Sequence, residues 1–142
     1  MKLLTAISLL CFSTAVIAQE NVESEGKARI LSVYHGLDPL PPRATRLCGL
    51  PPAAGQDGMP VTFSVQINSA SVSASAFAVE TSAGEFVTPL CATLRPAIEP
   101  LELRTVLLIG SFSAGDALPI GVEIVEQLED TEGNSLVGLK IE

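Results

Sequence analysis

From Pro60 to Asn68 the chain alternates. Val61, Phe63, Val65 and Ile67 are apolar, and Thr62, Ser64, Gln66 and Asn68 between them are polar. A two-residue period places one set on each face of a β-strand, so this segment predicts a sheet with one buried face. The same period returns in shorter pieces at Phe77, Val79, Thr81, at Ile120, Val122, Ile124, and at Val137, Leu139, Ile141. The chain holds 11 Gly and 10 Pro, all beyond residue 18. They interrupt it at short intervals and leave no convincing amphipathic helix.

Seven strands are expected: 28–35, 60–68, 77–81, 86–94, 103–112, 120–124 and 136–141. The run Val106-Leu107-Leu108-Ile109 has no alternation. Its length and branching favour a central strand buried on both sides, and Phe63, Val65, Phe77, Leu107 and Ile109 are expected to share one core. Val125 and Leu128 break the phase set by Ile120, Val122 and Ile124, which suggests a bulge. Ser82-Ala83-Gly84-Glu85 reads as a hairpin turn before the strand that contains Cys91, which is expected to be paired on both sides. Ser69–Ser75 is a polar connection with room for one helical turn. Many short strands with frequent turns describe an all-β, antiparallel sandwich. A closed barrel is the alternative.

Met1–Ala18 has the three parts of a secretory signal: Lys2, an uncharged apolar run from Leu3 to Ile17, and small residues at Val16 and Ala18 before Gln19. The run is about 15 residues, short of the ~20 that a spanning helix needs, so a membrane anchor is the weaker reading. Cys11 lacks the small residues of a lipoprotein site and is expected to leave with the leader. Residues 19–27 read as a flexible polar tail and 28–142 as one domain. With a formal charge of −8, made more negative when Lys2 is removed, the chain is a poor partner for nucleic acid or an anionic membrane. No membrane span is expected after cleavage, and the localisation is secreted or periplasmic.

Two thiols then remain, Cys48 and Cys91. In an exported chain they are expected to form a disulfide. There is neither a C-x-x-C spacing nor a nearby His for a redox or metal role. The closed loop spans about 43 residues, for which chain entropy gives roughly 4 kcal/mol. Cys48 lies in the breaker-rich segment 36–59, a connection long enough to call for a function or a tether.

Two places carry a resemblance. Pro60-Val61-Thr62-Phe63-Ser64 precedes a small-residue stretch and Phe77-Ala78-Val79. Much later comes Leu128-Glu129-Asp130-Thr131-Glu132-Gly133-Asn134-Ser135-Leu136. The pair resembles the opening and closing segments of bacterial Ig-like domains of surface-layer and secreted proteins. The resemblance implies a seven-stranded Ig-like sandwich over residues 28–142, serving as a spacer, adhesion or interaction module. The long loop 36–59, the cysteine pair and the Pro-interrupted link 95–102 depart from that pattern.

Residues that could carry chemistry are sparse. Ser111-Phe112-Ser113-Ala114-Gly115 falls short of a nucleophile elbow: its first position is Ser, and Leu118-Pro119 and a strand follow where a helix is needed. His35 is the single histidine, and no residue identifies itself as its nucleophile. Glu123, Glu126, Glu129, Asp130 and Glu132 form an acidic patch whose ordinary explanation is a solvated face. Asp130, Glu132 and Asn134 have the 1, 3, 5 spacing of a calcium loop, but Ser135 and Ile141 stand where Gly and Glu are needed. A weak cation site there stays open beside the turn reading. Aromatic platforms and N-glycosylation acceptors are lacking.

The expectation is a non-enzymatic binding or structural module without cofactor, metal or catalytic residues, whose loop 36–59 contacts a protein or cell-surface component. The alternative is a small secreted hydrolase or inhibitor using His35 or the acidic patch. A pocket uniting His35 with a Ser and an Asp would favour the enzyme. The leader makes the first test direct. Intact-mass measurement of secreted protein is expected to place the N-terminus at Gln19; retention of residues 1–18 would contradict the export reading.

Overall fold

A computed structural model describes residues 26–97, 99–113 and 115–142. The signal segment 1–18 and most of the tail 19–27 lie outside the described residues. Eight strands are present among the described residues: β1 (Ile30–Val33), β2 (Asp57–Phe63), β3 (Phe77–Thr81), β4 (Phe86–Val87), β5 (Cys91–Thr93), β6 (Thr105–Gly110), β7 (Pro119–Ile124) and β8 (Lys140–Ile141). They form two four-stranded antiparallel sheets, ordered β1-β2-β6-β5 and β4-β3-β7-β8. The fold is an all-β sandwich.

The alternation seen in the sequence sets the inner face of each sheet. Met59, Val61 and Phe63 of β2 point inward with Val106 and Leu108 of β6, and meet Phe77 and Val79 of β3 and Val122 and Ile124 of β7 in one cluster. Ile67, Phe112, Leu128 and Leu136 complete it from the connections. On the opposite face of β2, Thr62 lies across from Thr105, and their hydroxyls are 3.1 Å apart.

Several expected boundaries move. The alternating strand begins earlier, at Asp57, and ends at Phe63, where Ser64 turns back to hydrogen-bond Arg29. The single strand expected over 86–94 is two. Pro89 has no N–H to donate to a ladder. The chain breaks there, so β4 pairs with β3 in one sheet while β5 pairs with β6 in the other. Cys91 therefore lies in an edge strand, and the expectation of pairing on both sides is wrong for it. Residues 69–75 hold two short 3-10 turns, Ser69–Ser71 and Ala74–Ala76, each opened by a polar side chain accepting a backbone N–H. β7 ends at Ile124, and the expected bulge at Val125 is a strand end. The last strand is shorter than expected because Gly138 turns at φ +88°, a conformation that favours glycine.

The apolar run of β6 gives the main correction to the expected core. Phe63 and Phe77 sit in the sandwich core with Val65 packed at its edge, as read from the sequence. Leu107 and Ile109 do not join them. They alternate with Val106 and Leu108, so they face the other side of the sheet. Ile109 is nevertheless 0% exposed. Its strand is buried on both sides, as the unbroken run implied, but by two different layers. Phe63→Ala is expected to cost about 3–5 kcal/mol in urea unfolding, the range for emptying a buried aromatic site. Leu107→Ala is expected to cost less than Ile109→Ala, and the reverse order would refute this assignment of faces.

Candidate functional site

The second layer is the segment between β1 and β2. Directly opposite Ile109 in the sheet stand Gly58 on β2 and Cys91 on β5, so all three share its outer face. A Cβ built on Gly58 would lie 3.0 Å from a Leu40 methyl and 3.1 Å from the Leu37 Cβ. Glycine there lets the incoming chain lie flat on the sheet. Cys91 is bonded to Cys48, with 6.2 Å between their Cα atoms. The disulfide joins the connection to the sheet it covers.

Local chemistry shapes this cover. Pro42 opens a 3-10 helix, Pro42–Cys48, and Gly49 closes it at φ +74°. Thr45 is fully buried, and its hydroxyl donates to the Pro51 carbonyl at 2.6 Å. Ala53 N–H donates to the Pro42 carbonyl at 3.0 Å. The segment is thus braced internally and pinned to β5. Arg43 and Arg46 are exposed on it, and no acidic residue occurs between Asp38 and Asp57. In a chain of net charge −8 this is a local cationic surface.

At the root of the same segment lies a cavity of about 160 Å³, lined by His35, Leu37, Asp38, Asp57, Ser113 and Leu118 among others. Asp57 is 9% exposed, and its Oδ2 accepts the backbone N–H groups of Phe112 at 2.9 Å and Ser113 at 3.1 Å. It ties the connection after β6 to the start of β2. The Leu37–Gly58 bridge sets the register so that Asp38 faces Asp57. A hydrogen bond shared with the Asp57 side chain, then the Asp57 charge, raise the Asp38 carboxyl above its ordinary 3.8. His35 stands exposed at the rim, where partial desolvation lowers its imidazole below the ordinary 6.5.

The pocket therefore unites His35 with a serine and two aspartates, which sequence spacing did not show. It does not wire them as a triad. Asp57 is engaged by backbone N–H groups rather than by the imidazole. Among the described residues no hydrogen bond links His35 to Ser113. A nucleophile without its base in reach lacks the relay that activates it. After Ser113, the position a nucleophile would take, come a turn at Gly115 and Asp116 and then strand β7, with no helix among the described residues.

The acidic patch disperses. Glu126 and Glu132 are exposed, while Asp130 is buried within its own turn. Asp130 Oδ1 accepts the N–H groups of Glu132 at 2.9 Å and Asn134 at 2.8 Å, and Oδ2 accepts the Asn134 side-chain amide at 2.9 Å. The Asn134 side chain foremost holds this carboxyl below its ordinary 3.8, against desolvation and together with the backbone N–H groups of Asn134, Glu132 and Gly133. Both oxygens are spent inside the turn, so the calcium-like spacing has a structural explanation. No group of three or more potential ligands for a metal occurs among the described residues. A wider cleft of about 810 Å³ lies beside this turn, with Lys27, Ser64 and Arg104 on its other wall. The Arg104 Nη1 donates to the Ser64 carbonyl at 3.2 Å.

No family model, curated protein or solved structure matches this chain. No helix among the described residues is long and apolar enough to cross a membrane.

The staple carries a test of this site. In Cys48→Ser/Cys91→Ser the cover is held only by its few apolar and hydrogen-bonded contacts. The variant is expected to unfold at clearly lower denaturant, losing up to roughly 4 kcal/mol, and residues 36–56 should become its first site of proteolysis. Two free thiols in the mature, non-reduced protein would remove the basis of this assignment.

Proposed function

We propose that this chain is a secreted or periplasmic, non-enzymatic binding module of the Ig-like type, which contacts a protein or cell-surface component through the stapled segment between β1 and β2. The observation that carries the reading is the segment itself. It is long, internally braced, disulfide-bound to the sheet, and presents Arg43 and Arg46 outward. A rigid scaffold with a preorganised exposed connection is the usual build of a recognition surface. Because β2 takes up residues 57–59, the contact segment is 36–56, shorter than the sequence suggested. Its two arginines, with no acid from residue 39 to 56, favour an acidic partner.

The Ig-like part rests on topology. Eight strands in the orders β1-β2-β6-β5 and β4-β3-β7-β8 correspond to the ABED and C′CFG sheets of that architecture, with β4 as the added C′ strand. The disulfide joins the A–B connection to strand D, unlike the inter-sheet bond of antibody domains. Export is supported by the leader sequence and by the disulfide, which suits an oxidising compartment.

A hydrolase is the second reading, and the gathering of His35, Ser113 and Asp57 round one cavity favours it. Two measurements separate the readings. Retention of the mature protein on intact cells or envelopes of its source is expected, and Arg43→Glu/Arg46→Glu should lower it by about tenfold or more. Equal retention of wild type and variant would refute the contact surface. Hydrolysis of ester or peptide substrates that disappears in both His35→Ala and Ser113→Ala would establish the enzyme instead.

A further inference from the structure

The root of the stapled segment sets two carboxyl groups against each other. Leu37 and Gly58 pair across an antiparallel bridge, with Gly58 N–H donating to the Leu37 carbonyl at 2.8 Å. That register places Asp38 directly opposite Asp57. Two residues further along, Leu40 N–H donates to the Gln56 carbonyl at 2.8 Å. Like charges directly opposite each other in a β-pair push the strands apart. Asp57 cannot turn away, because its Oδ2 holds the N–H groups of both Phe112 and Ser113. Asp38 is the exposed, movable member.

We propose that residues 36–40 are an acid-tightened clasp: a proton shared between Asp38 and Asp57 holds the segment down on β2, and loss of that proton releases it from the cavity it borders. The shared proton replaces a repulsion by an O–H···O⁻ hydrogen bond, among the strong ones. What the clasp covers is apolar. Met59 and Phe112 line the cavity and are each 1% exposed. Release at the root would open them to solvent, while the Cys48–Cys91 bond keeps the rest of the segment on the sheet. The inference rests on the register and stands apart from the binding function proposed above.

The sign follows from which state holds the proton. The closed arrangement raises Asp38 above its ordinary 3.8, so its stabilisation is complete below 3.8 and is lost as pH rises through the raised value. The other titratable group lining the cavity is His35, from the end of the β1 extension. Its lowered value acts in the opposite sense. Closure costs nothing at His35 above 6.5 and is opposed as pH falls through the lowered value. The connection after β6 contributes Phe112, Ser113 and Leu118 to the lining, and β7 contributes Pro119. Asp116 on that connection and Arg43 on the 3-10 helix are exposed and do not line the cavity.

The test follows two amides, Gly58 N–H and Leu40 N–H, by hydrogen exchange corrected for intrinsic rates, at pH 4 and pH 7. His35→Gln removes the opposing group. In that variant both amides are expected to be more strongly protected at pH 4 than at pH 7. Adding Asp38→Asn supplies a permanent N–H donor to Asp57 and should make protection equal at the two pH values. The amide of Val61, inside the β2–β6 pairing, is the control for global stability and should not follow the pattern. Equal protection at pH 4 and pH 7 in His35→Gln would overturn the clasp. So would a pH dependence that survives Asp38→Asn.

Discussion

Burial of β6 on both of its faces is the constraint from which the rest of the structure follows. Leu108 and Ile109 are neighbours in sequence, point to opposite sides of the sheet, and are both fully buried. Leu108 is satisfied by the second sheet, whose β3 and β7 supply Phe77, Val79, Val122 and Ile124. Ile109 needs a separate cover, since an exposed aliphatic side chain there would forgo the transfer free energy that drives folding. The connection between β1 and β2 provides it, and its length serves that purpose. Besides prolines, glycines and small residues the segment has four leucines, Leu37, Leu40, Leu47 and Leu50, none of them fully buried. The disulfide to β5 compensates, because it joins the cover to the strand next to Ile109.

Asp57 is the polar counterpart of that arrangement. A carboxylate this buried is tolerated when its oxygens are hydrogen-bonded. The Phe112 and Ser113 N–H groups meet that need, and the price of the pairing is a fixed negative group facing Asp38. The same interaction fastens the connection after β6 to the start of β2 and brings Phe112 into the core. The cavity bordered by His35 and Ser113 lies at this corner, with the acidic pair Asp38 and Asp57 in its lining.

The surface divides along the same lines. The net charge of the chain is negative, yet the cover over Ile109 carries Arg43 and Arg46 and, beyond Asp38 at its root, no acid. At the far side of the molecule the acidic turn around Asp130 consumes its own carboxylate in hydrogen bonds and so offers little to a ligand. A binding reading therefore places contact on the stapled segment. A catalytic reading places it at the cavity beneath the root of that segment, where the imidazole and the serine lack a mutual hydrogen bond.

Much of the fold was legible in the residues because it rests on local periods. Alternation at Val61–Phe63, Phe77–Thr81 and Val122–Ile124 marked strands and their inner faces; Ile120, in the same phase, is 42% exposed, because the register shifts between Glu80 and Thr81 opposite it. Ser82–Glu85 announced its hairpin, in which Gly84 N–H donates to the Thr81 carbonyl at 2.8 Å. With the leader removed, two cysteines left one pairing. The unbroken run Val106–Ile109 told of burial on both sides but carried no phase, so it could not say that Leu107 and Ile109 belong to a different layer from Leu108. Pro89 marked a break without showing that the chain changes sheets there. The meeting of His35, Asp38, Asp57 and Ser113 had no signal at all beyond the nearness of His35 to Asp38. Period and composition report which way a side chain faces. What stands opposite it is decided by strand order and register, and those are set only when distant segments pack.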